Sequence, residues 1–553
     1  MDIQLRTSPR ADMKHVKIEK GITIEELVAQ FKQELPYTIL AAKLNNKIVE
    51  LTSIIEQECN VELLDMRTQS ANLIYQYSLS LLYLKAVNDV LGKVPVEIEN
   101  SLNKGLYTEI KSFEPVTREQ VKSIEARMHQ LVSEDLPFVK KVVTREEALP
   151  ILSEDGYKEK TRMLLNSGVK QVKFYSLEGY RNFFYGLMVP STGYLTHFEL
   201  KKYRRGVLLR FPHPSAPDKI PVYVDEKKLY SAFGEVKKWG KLMNVSFVSD
   251  LNEKVLNGSY KELVQLSEAL QEKKIVEIAD MITKQRKRII LIAGPSSSGK
   301  TTFARRLCIQ LKVNGLEPLY MGTDDYFVER TETPLDEHNE PDFENLIALD
   351  IKLFNENMND LLAGREVDLP TFDFMKGTKH FGGRMTRVKP RQPIVIEGIH
   401  ALNKDLTAYI EDEEKFKIYI SPLTQLNIDN HNRTPTTDAR MLRRMVRDYR
   451  YRGHTAQSTI RLWPKVRAGE DKNIFPFSGE ADVLFNSAHI YELSVLKKYA
   501  APLLEGVKPE EPEYSEAVRM LKFLRFFETI EDDSIIVNNS IIREFIGGSI
   551  FVD

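Results

Sequence analysis

One string limits this 553-residue chain more than any other: Gly294-Pro-Ser-Ser-Ser-Gly-Lys300-Thr301-Thr302. It fits G-x-x-x-x-G-K-[ST] without exception, follows the apolar run Ile289 to Ala293, and precedes the amphipathic run Phe303 to Val313. Strand, loop, helix is the context in which such a string wraps phosphate. The glycines allow the backbone N–H groups of Gly294, Ser296, Ser297, Ser298, Gly299, Lys300, Thr301 and Thr302 to turn toward an anion, and the helix N-terminus adds partial positive charge. A chance Ser/Gly-rich turn is the plain alternative, and the flanking runs weigh against it. The pattern predicts ATP-type phosphate binding, with Lys300 reaching the β- and γ-phosphates and the Thr301 hydroxyl on Mg²⁺.

A second apolar run, Pro393-Ile-Val-Ile-Glu397-Gly398, ends in an acid at the edge of a predicted strand. Phosphate-loop folds place a carboxylate there to support the Mg²⁺ shell, and a surface Glu is the bland alternative. Between the two runs, Pro318-Leu-Tyr-Met-Gly leads into Asp324-Asp325-Tyr326-Phe327. A carboxylate at that point accepts a proton as a substrate hydroxyl attacks the γ-phosphate, although an N-cap or turn acid has the same spacing. Further on, Arg440, Arg443, Arg444, Arg447, Arg450 and Arg452 crowd one helical stretch before Gly453-His454. A solvated basic helix gives this pattern too. Beside a phosphate loop the expectation is a mobile arginine lid that neutralises the transferring oxygens.

Length alone predicts roughly three or four domains. The 78 basic and 79 acidic residues nearly cancel, which leans against a nucleic-acid partner held mainly by phosphate contacts. RNA stays open, because a local basic face fits inside a neutral total. Cys59 and Cys308 stand far apart, so a disulfide scaffold is not expected and a reducing cytoplasm is. No apolar run approaches the roughly 20 residues that span a bilayer, and the N-terminus lacks the apolar core of a signal peptide. A cytoplasmic chain without membrane contact is expected.

Residues 1–65 alternate β-like runs (MDIQL, HVKIE, ILAAKLNNKIV, CNVELLDM) around a helix beginning at Ile24, the order of a β-grasp, ubiquitin-like domain. Residues 66–226 read as an α+β domain. Helices are expected over Ser70 to Leu91 and Arg118 to Ser133, then the strand-like runs VKFYSLEGY, NFFYGLMV, YLTHFELKKY, GVLLRFP and IPVYVD. Residues 227–286 form a charged helical connector, 287–500 the phosphate-loop unit, and 501–553 a helical extension expected to pack back onto it.

The strings GPSSSGKTT, DDYF, PDFENLIALD, LPTFDF, IVIEGIHAL, RRMVRDYRYRG and ADVLFNSAHIYEL, in this order, make residues 287–500 resemble the phosphoribulokinase/uridine kinase family. The resemblance implies an α/β kinase with a doubly wound, mainly parallel sheet that phosphorylates hydroxyls of nucleosides or sugar phosphates with ATP and Mg²⁺. It implies Asp324 as catalytic base, assisted by Lys300, Arg447 and Arg452, with Thr301 and Glu397 at the magnesium positions. It also implies an acceptor site of Asp325, Tyr326, Phe327, Glu344, Phe372 and Arg444. Three positions depart from the uridine kinase pattern: Phe372 replaces a Tyr, Gly377 a base-reading His, and His454 a lid Arg. A site that loses a hydrogen-bonding partner discriminates differently, so uridine is only the family default.

Residues 1–65 resemble the TGS domain of threonyl-tRNA synthetases, and SIEARMHQLVSEDLPFVKKVVTREEAL and VPSTGYLTHFELKKY resemble their adjoining editing-type domain. Where that pattern has two His on a helix and a later C-x-x-x-H, this chain has Gln76, Ser80, Phe184 and Met188. These make a poor ligand set, and no zinc is expected. The leading expectation is an ATP-dependent nucleoside kinase, as a homo-oligomer. The alternatives are a sugar-phosphate kinase and an RNA-associated protein that uses ATP as a switch.

Overall fold

The run Ile289–Ala293 is apolar throughout because its strand is covered on both faces, and each of its residues is at most 1% exposed. Such continuous apolar runs belong to parallel strands sandwiched between helices. The computed structural model describes residues 1–8, 11–335, 339, 341–373, 376–424 and 426–552. Five parallel strands form the sheet in the order Leu319–Gly322, Ile394–Glu397, Ile289–Ala293, Lys415–Ser421 and Val483–Asn486. The first strand in sequence therefore lies between the third and the fourth. That arrangement makes a switch point at its C-terminal end, where doubly wound folds bind ligands.

Helices flank this sheet. Lys300–Val313 packs against Tyr260–Gln285, and both share an apolar cluster with one face of the strands. Ile351–Leu362 joins the cluster on the other face. Thr436–Arg452 packs against Ala456–Asn473 and Glu492–Glu505. The closing segment, with Tyr514–Leu524 and the short turn Arg543–Ile546, packs back onto this unit, as expected from the sequence.

The N-terminal segment forms a five-stranded sheet in the order Lys14–Lys17, Asp2–Arg6, Asn60–Asp65, Ile39–Leu44, Lys47–Val49. The helix Ile24–Gln30 is held at its start by a Thr23–Glu26 capping box, which satisfies two otherwise unpaired backbone donors. Next come the helices Gln69–Leu91 and Arg118–Ser133, close to the ranges expected from periodicity. Two antiparallel sheets accompany them, of four and of three strands.

One expected strand is absent. IPVYVD, residues 220–225, pairs with no strand. Pro221 has no N–H to give a ladder, and Val222 and Val224 are 88% and 62% exposed, so the β-branched pattern lacks a sheet to join. NFFYGLMV contributes only Tyr180–Phe183 with its preceding residues, and YLTHFELKKY only Glu199–Tyr203.

Candidate active site

The phosphate loop forms where the sequence places it, between the strand Ile289–Ala293 and the helix Lys300–Val313. Gly294 passes so close to the next strand that a Cβ would lie 2.2 Å from the Ile420 carbonyl oxygen, and Gly299 has φ +82°. A side chain is thus excluded by contact at one end of the loop and disfavoured by conformation at the other. The Lys300 ammonium donates to the carbonyls of Gly294 (3.1 Å) and Pro295 (3.4 Å). The Thr301 hydroxyl donates to Glu397 Oε1 at 2.7 Å, and the Tyr320 hydroxyl donates to the same oxygen at 3.1 Å. Strand register sets this up, because Glu397 lies opposite Ile292 on one side and Gly322 on the other.

Asp324 follows Gly322 in a short turn, Thr323–Tyr326. Burial within the cleft, the like charge of Glu397 and that of Asp325 push its carboxyl up from 3.8 to about 6, against the pull of Lys300. The residue stands at the mouth of the cleft, where solvent and a substrate hydroxyl can reach it. Arg452, at the end of the arginine-rich helix, acts on Asp324 electrostatically. Asp325 takes a hydrogen bond from Arg384 at 2.6 Å. Tyr326 is turned into the core, where Asn357 Nδ2 donates to its hydroxyl at 3.1 Å. It supports this turn from behind and does not line the cleft.

Phe327 and Phe372 form a buried ring pair with centroids 5.7 Å apart, and Phe343 adds a second contact to Phe327 at 5.8 Å. Phe374, the last residue of LPTFDF, lies outside the described residues. Gly377 has φ +70°, and a Cβ there would come within 2.8 Å of Arg330 Cβ and Nε. The missing side chain at 377 is thus coupled to a guanidinium packed in its place. Glu344 is half-buried; burial and the nearby Glu470 raise its carboxyl above the ordinary range. Its carbonyl accepts from Asn473 Nδ2 at 2.6 Å.

Five of the six clustered arginines fall into two groups, while Arg450 packs beside Tyr451 and Gly547. Arg440 and Arg443, at 1% and 0% exposure, are not lid residues. Arg440 Nε donates to the Ser296 carbonyl at 3.0 Å and pairs with Glu470, which also accepts the Ser296 N–H at 3.1 Å. Arg443 pairs with Glu492 at 2.6 Å and donates to the Ser297 carbonyl at 3.3 Å. These two cations fix the loop's backbone, so the inner face of the helix is a wall and not a mobile cover. Arg444, Arg447 and Arg452 gather instead around the buried Asp448, at 3.2, 2.8 and 3.6 Å. Arg444 also donates to Ser296 Oγ at 2.9 Å. Three guanidiniums on one carboxylate leave a net positive charge beside the loop.

The structure thus brings together Lys300, Thr301, Glu397, Asp324, Glu344, Arg444 and Arg452, and sets Tyr326 apart. Sequence reasoning missed Glu470 and Arg384, which carry no motif and become informative only through their partners. Cavities of about 560 and 600 Å³ lie elsewhere, beside the helix Lys227–Leu242 and the strands carrying Glu99 and Glu109.

The synthetase-like positions are used differently. Gln76 Nε2 donates to Asn72 Oδ1 at 2.6 Å and Ser80 Oγ to the Gln76 carbonyl at 2.7 Å. Phe184 and Met188 are core residues. The Tyr77 ring lies 6.1 Å from that of Phe184, and a Cβ on Gly186 would meet it at 2.2 Å. From the phosphate-loop unit, Asp429 reaches in to pair with Lys160 at 2.7 Å, both completely buried, and Asn432 donates to the Phe183 carbonyl at 3.1 Å.

Comparison with known proteins agrees with this division. The N-terminal part is homologous to threonine–tRNA ligases: 29% identity over 192 residues with that of Marinobacter nauticus and 28% over 184 with that of Symbiobacterium thermophilum. Those matches cover 34% and 33% of this chain but only 30% and 28% of the ligases, so the chain spans less than a third of their length. The uridine kinase of Staphylococcus aureus strain Newman is 31% identical over 197 residues, covering 35% of this chain and 86% of that enzyme. A solved structure described as a possible uridine kinase from Bacillus stearothermophilus has 22% identity and a TM-score of 0.26, covering 36% of this chain and 89% of that one. The profile of the phosphoribulokinase / uridine kinase family matches residues 289–494. Through that segment, the chain belongs to the phosphoribulokinase / uridine kinase family.

Proposed function

We propose that this chain transfers the γ-phosphoryl group of ATP to a hydroxyl of a nucleoside. The observation that carries the reading is the meeting of Asp324 with the Thr301–Glu397 pair where adjacent parallel strands end. The acceptor oxygen attacks phosphorus, the bond to the bridging oxygen of ADP breaks, and the hydroxyl proton passes to Asp324. A carboxyl near 6 is ionised at neutral pH yet basic enough to share that proton. Lys300, Arg444, Arg447 and Arg452 supply positive charge to the transferring oxygens, a fixed field that needs no reorganisation as charge moves.

The hydroxyl of Thr301 and the carboxylate of Glu397 offer hard oxygen donors side by side, a set suited to Mg²⁺. Held by these two residues, Mg²⁺ would neutralise phosphate charge. Phe327 and Phe372 give the acceptor an apolar wall, and Glu344 a hydrogen-bond acceptor for a ribose hydroxyl.

A second reading has its own support. Arg330 packs at Gly377, where the uridine kinase pattern reads the base, and Arg384 stands on Asp325. Cations on the acceptor side suit an anionic acceptor such as a sugar phosphate. A panel of nucleosides, pentoses and sugar phosphates incubated with labelled ATP separates the two. Label on a nucleoside supports the first reading, label on sugar phosphates alone the second, and label on neither class contradicts both.

A further inference from the structure

The family match ends at residue 494, yet the chain's last turn returns to the phosphate loop. We propose that the segment Ile541–Phe545 is a working part of the phosphate site, with Glu544 as a positioning residue for the start of the loop's helix. The inference rests on the nucleotide-binding reading above.

Three contacts carry it. Glu544 Oε2 accepts from the Thr302 hydroxyl at 2.7 Å and from the Thr302 backbone N–H at 3.3 Å. The first turn of any helix has N–H groups without intrahelical partners. Here one of them is held from the core side, because Thr302 and Glu544 are both buried, while Lys300 and Thr301 are left to the cleft. Ile541 fills the space behind Gly299, its Cγ2 only 2.4 Å from where a Cβ would stand. The left-handed residue that begins the helix is therefore closed from behind. Phe545 lies under Arg443, ring to guanidinium at 4.9 Å, and that guanidinium holds the Ser297 carbonyl. Residues 297, 299 and 302 are thus fixed directly or through Arg443 by one short piece of chain.

That piece is itself anchored. Ser540 Oγ donates to Glu268 on the helix Tyr260–Gln285, and Arg543 Nη2 donates to the carbonyls of Asp533 (2.7 Å) and Ile536 (2.8 Å). A phosphate-binding loop works by presenting several N–H groups in one fixed curve. Loosening any of the three points lets that curve spread without touching the acceptor side.

The test uses the full-length chain, with direct binding of ATP in the presence of Mg²⁺ and steady-state kinetics. Glu544→Ala should raise the Kd and KM for ATP by about tenfold or more, the loss of two hydrogen bonds to a buried partner, with the acceptor KM unchanged. Glu544→Gln, whose amide oxygen keeps both acceptor contacts, should recover most of that loss. Ile541→Ala leaves every polar contact in place and should shift ATP binding in the same direction by a smaller factor. A purely structural role would lower activity through melting alone, with the ATP KM unmoved, and would overturn the proposal. Tighter ATP binding in both Glu544 variants would also overturn it, since the carboxylate would then be a competitor of phosphate. A wild-type chain that binds no ATP would sink the kinase reading and this inference together. Equal binding by wild type and Glu544→Ala would sink this inference alone.

Discussion

The phosphate-loop cleft and the synthetase-like pocket both retain the scaffold of their relatives, but their side chains have gone separate ways. In the cleft, like charges are kept close: Glu397 and Asp325 crowd Asp324, and three arginines share Asp448. Such crowding costs stability and is found where chemistry needs shifted protons and focused charge. In the synthetase-like pocket the matching positions are taken up by packing and local hydrogen bonds. Gln76 and Ser80 bond their own helix, Tyr77 and Phe184 fill the centre, and Asp429 closes it through Lys160. The contrast teaches that a scaffold can persist while the side chains that line it are replaced. One region keeps its charges at an open cleft; the other buries its matching positions in a core.

If that contrast is right, the largest effect on stability comes from the filled pocket. Lys160→Met leaves Asp429 as an uncompensated buried charge, and should cost about 3–5 kcal/mol, read by denaturant unfolding, while the KM of the surviving fold stays put. A change in KM at unchanged stability would make the pocket functional after all.

The pH dependence comes next. Asp324 is raised from 3.8 to about 6, so kcat/KM should fall about tenfold for each pH unit below 6 and level off above it. The stability sign is opposite to that of a paired carboxylate. Between 3.8 and 6 the folded chain binds a proton that the unfolded chain has released, so this group's contribution declines as pH rises through the window and stays low above it. Asp324→Asn should therefore raise the Tm at neutral pH even as it removes activity.

The smallest expected effect is Gln76→Ala. A single hydrogen bond within one helix is worth about 1 kcal/mol, and no kinetic constant should move. A measurable loss of turnover would show that the old editing position still speaks to the cleft.

Much of the cleft was legible because its signal is contiguous. Strand, loop and helix from Ile289 to Val313 lie in one stretch, and Glu397 ends the next apolar run. The helix Arg118–Ser133 was equally plain, with a capping box from Thr117 to Gln120 marking its start. What stayed hidden depends on partners far along the chain. Arg440 and Arg443 are buried because Glu470 and Glu492, 30 and 49 residues later, neutralise them, which no local pattern announces. Glu544 meets Thr302 across 242 residues. Tyr326 sits in a motif that reads as site, yet its ring turns inward to Asn357 and Phe354. IPVYVD has strand composition without a neighbouring edge to pair with.

The central claim is that Asp324 accepts the proton of an attacking hydroxyl in a cleft that binds ATP without its help. Turnover and ATP affinity measured together on Asp324→Asn, with whichever acceptor the labelled-ATP panel identifies, test it most directly. The account predicts kcat lower by about 10²- to 10⁴-fold, the usual worth of a general base, and an ATP Kd within about threefold of wild type. Turnover close to wild type, or a loss explained by failure to bind ATP, would contradict it.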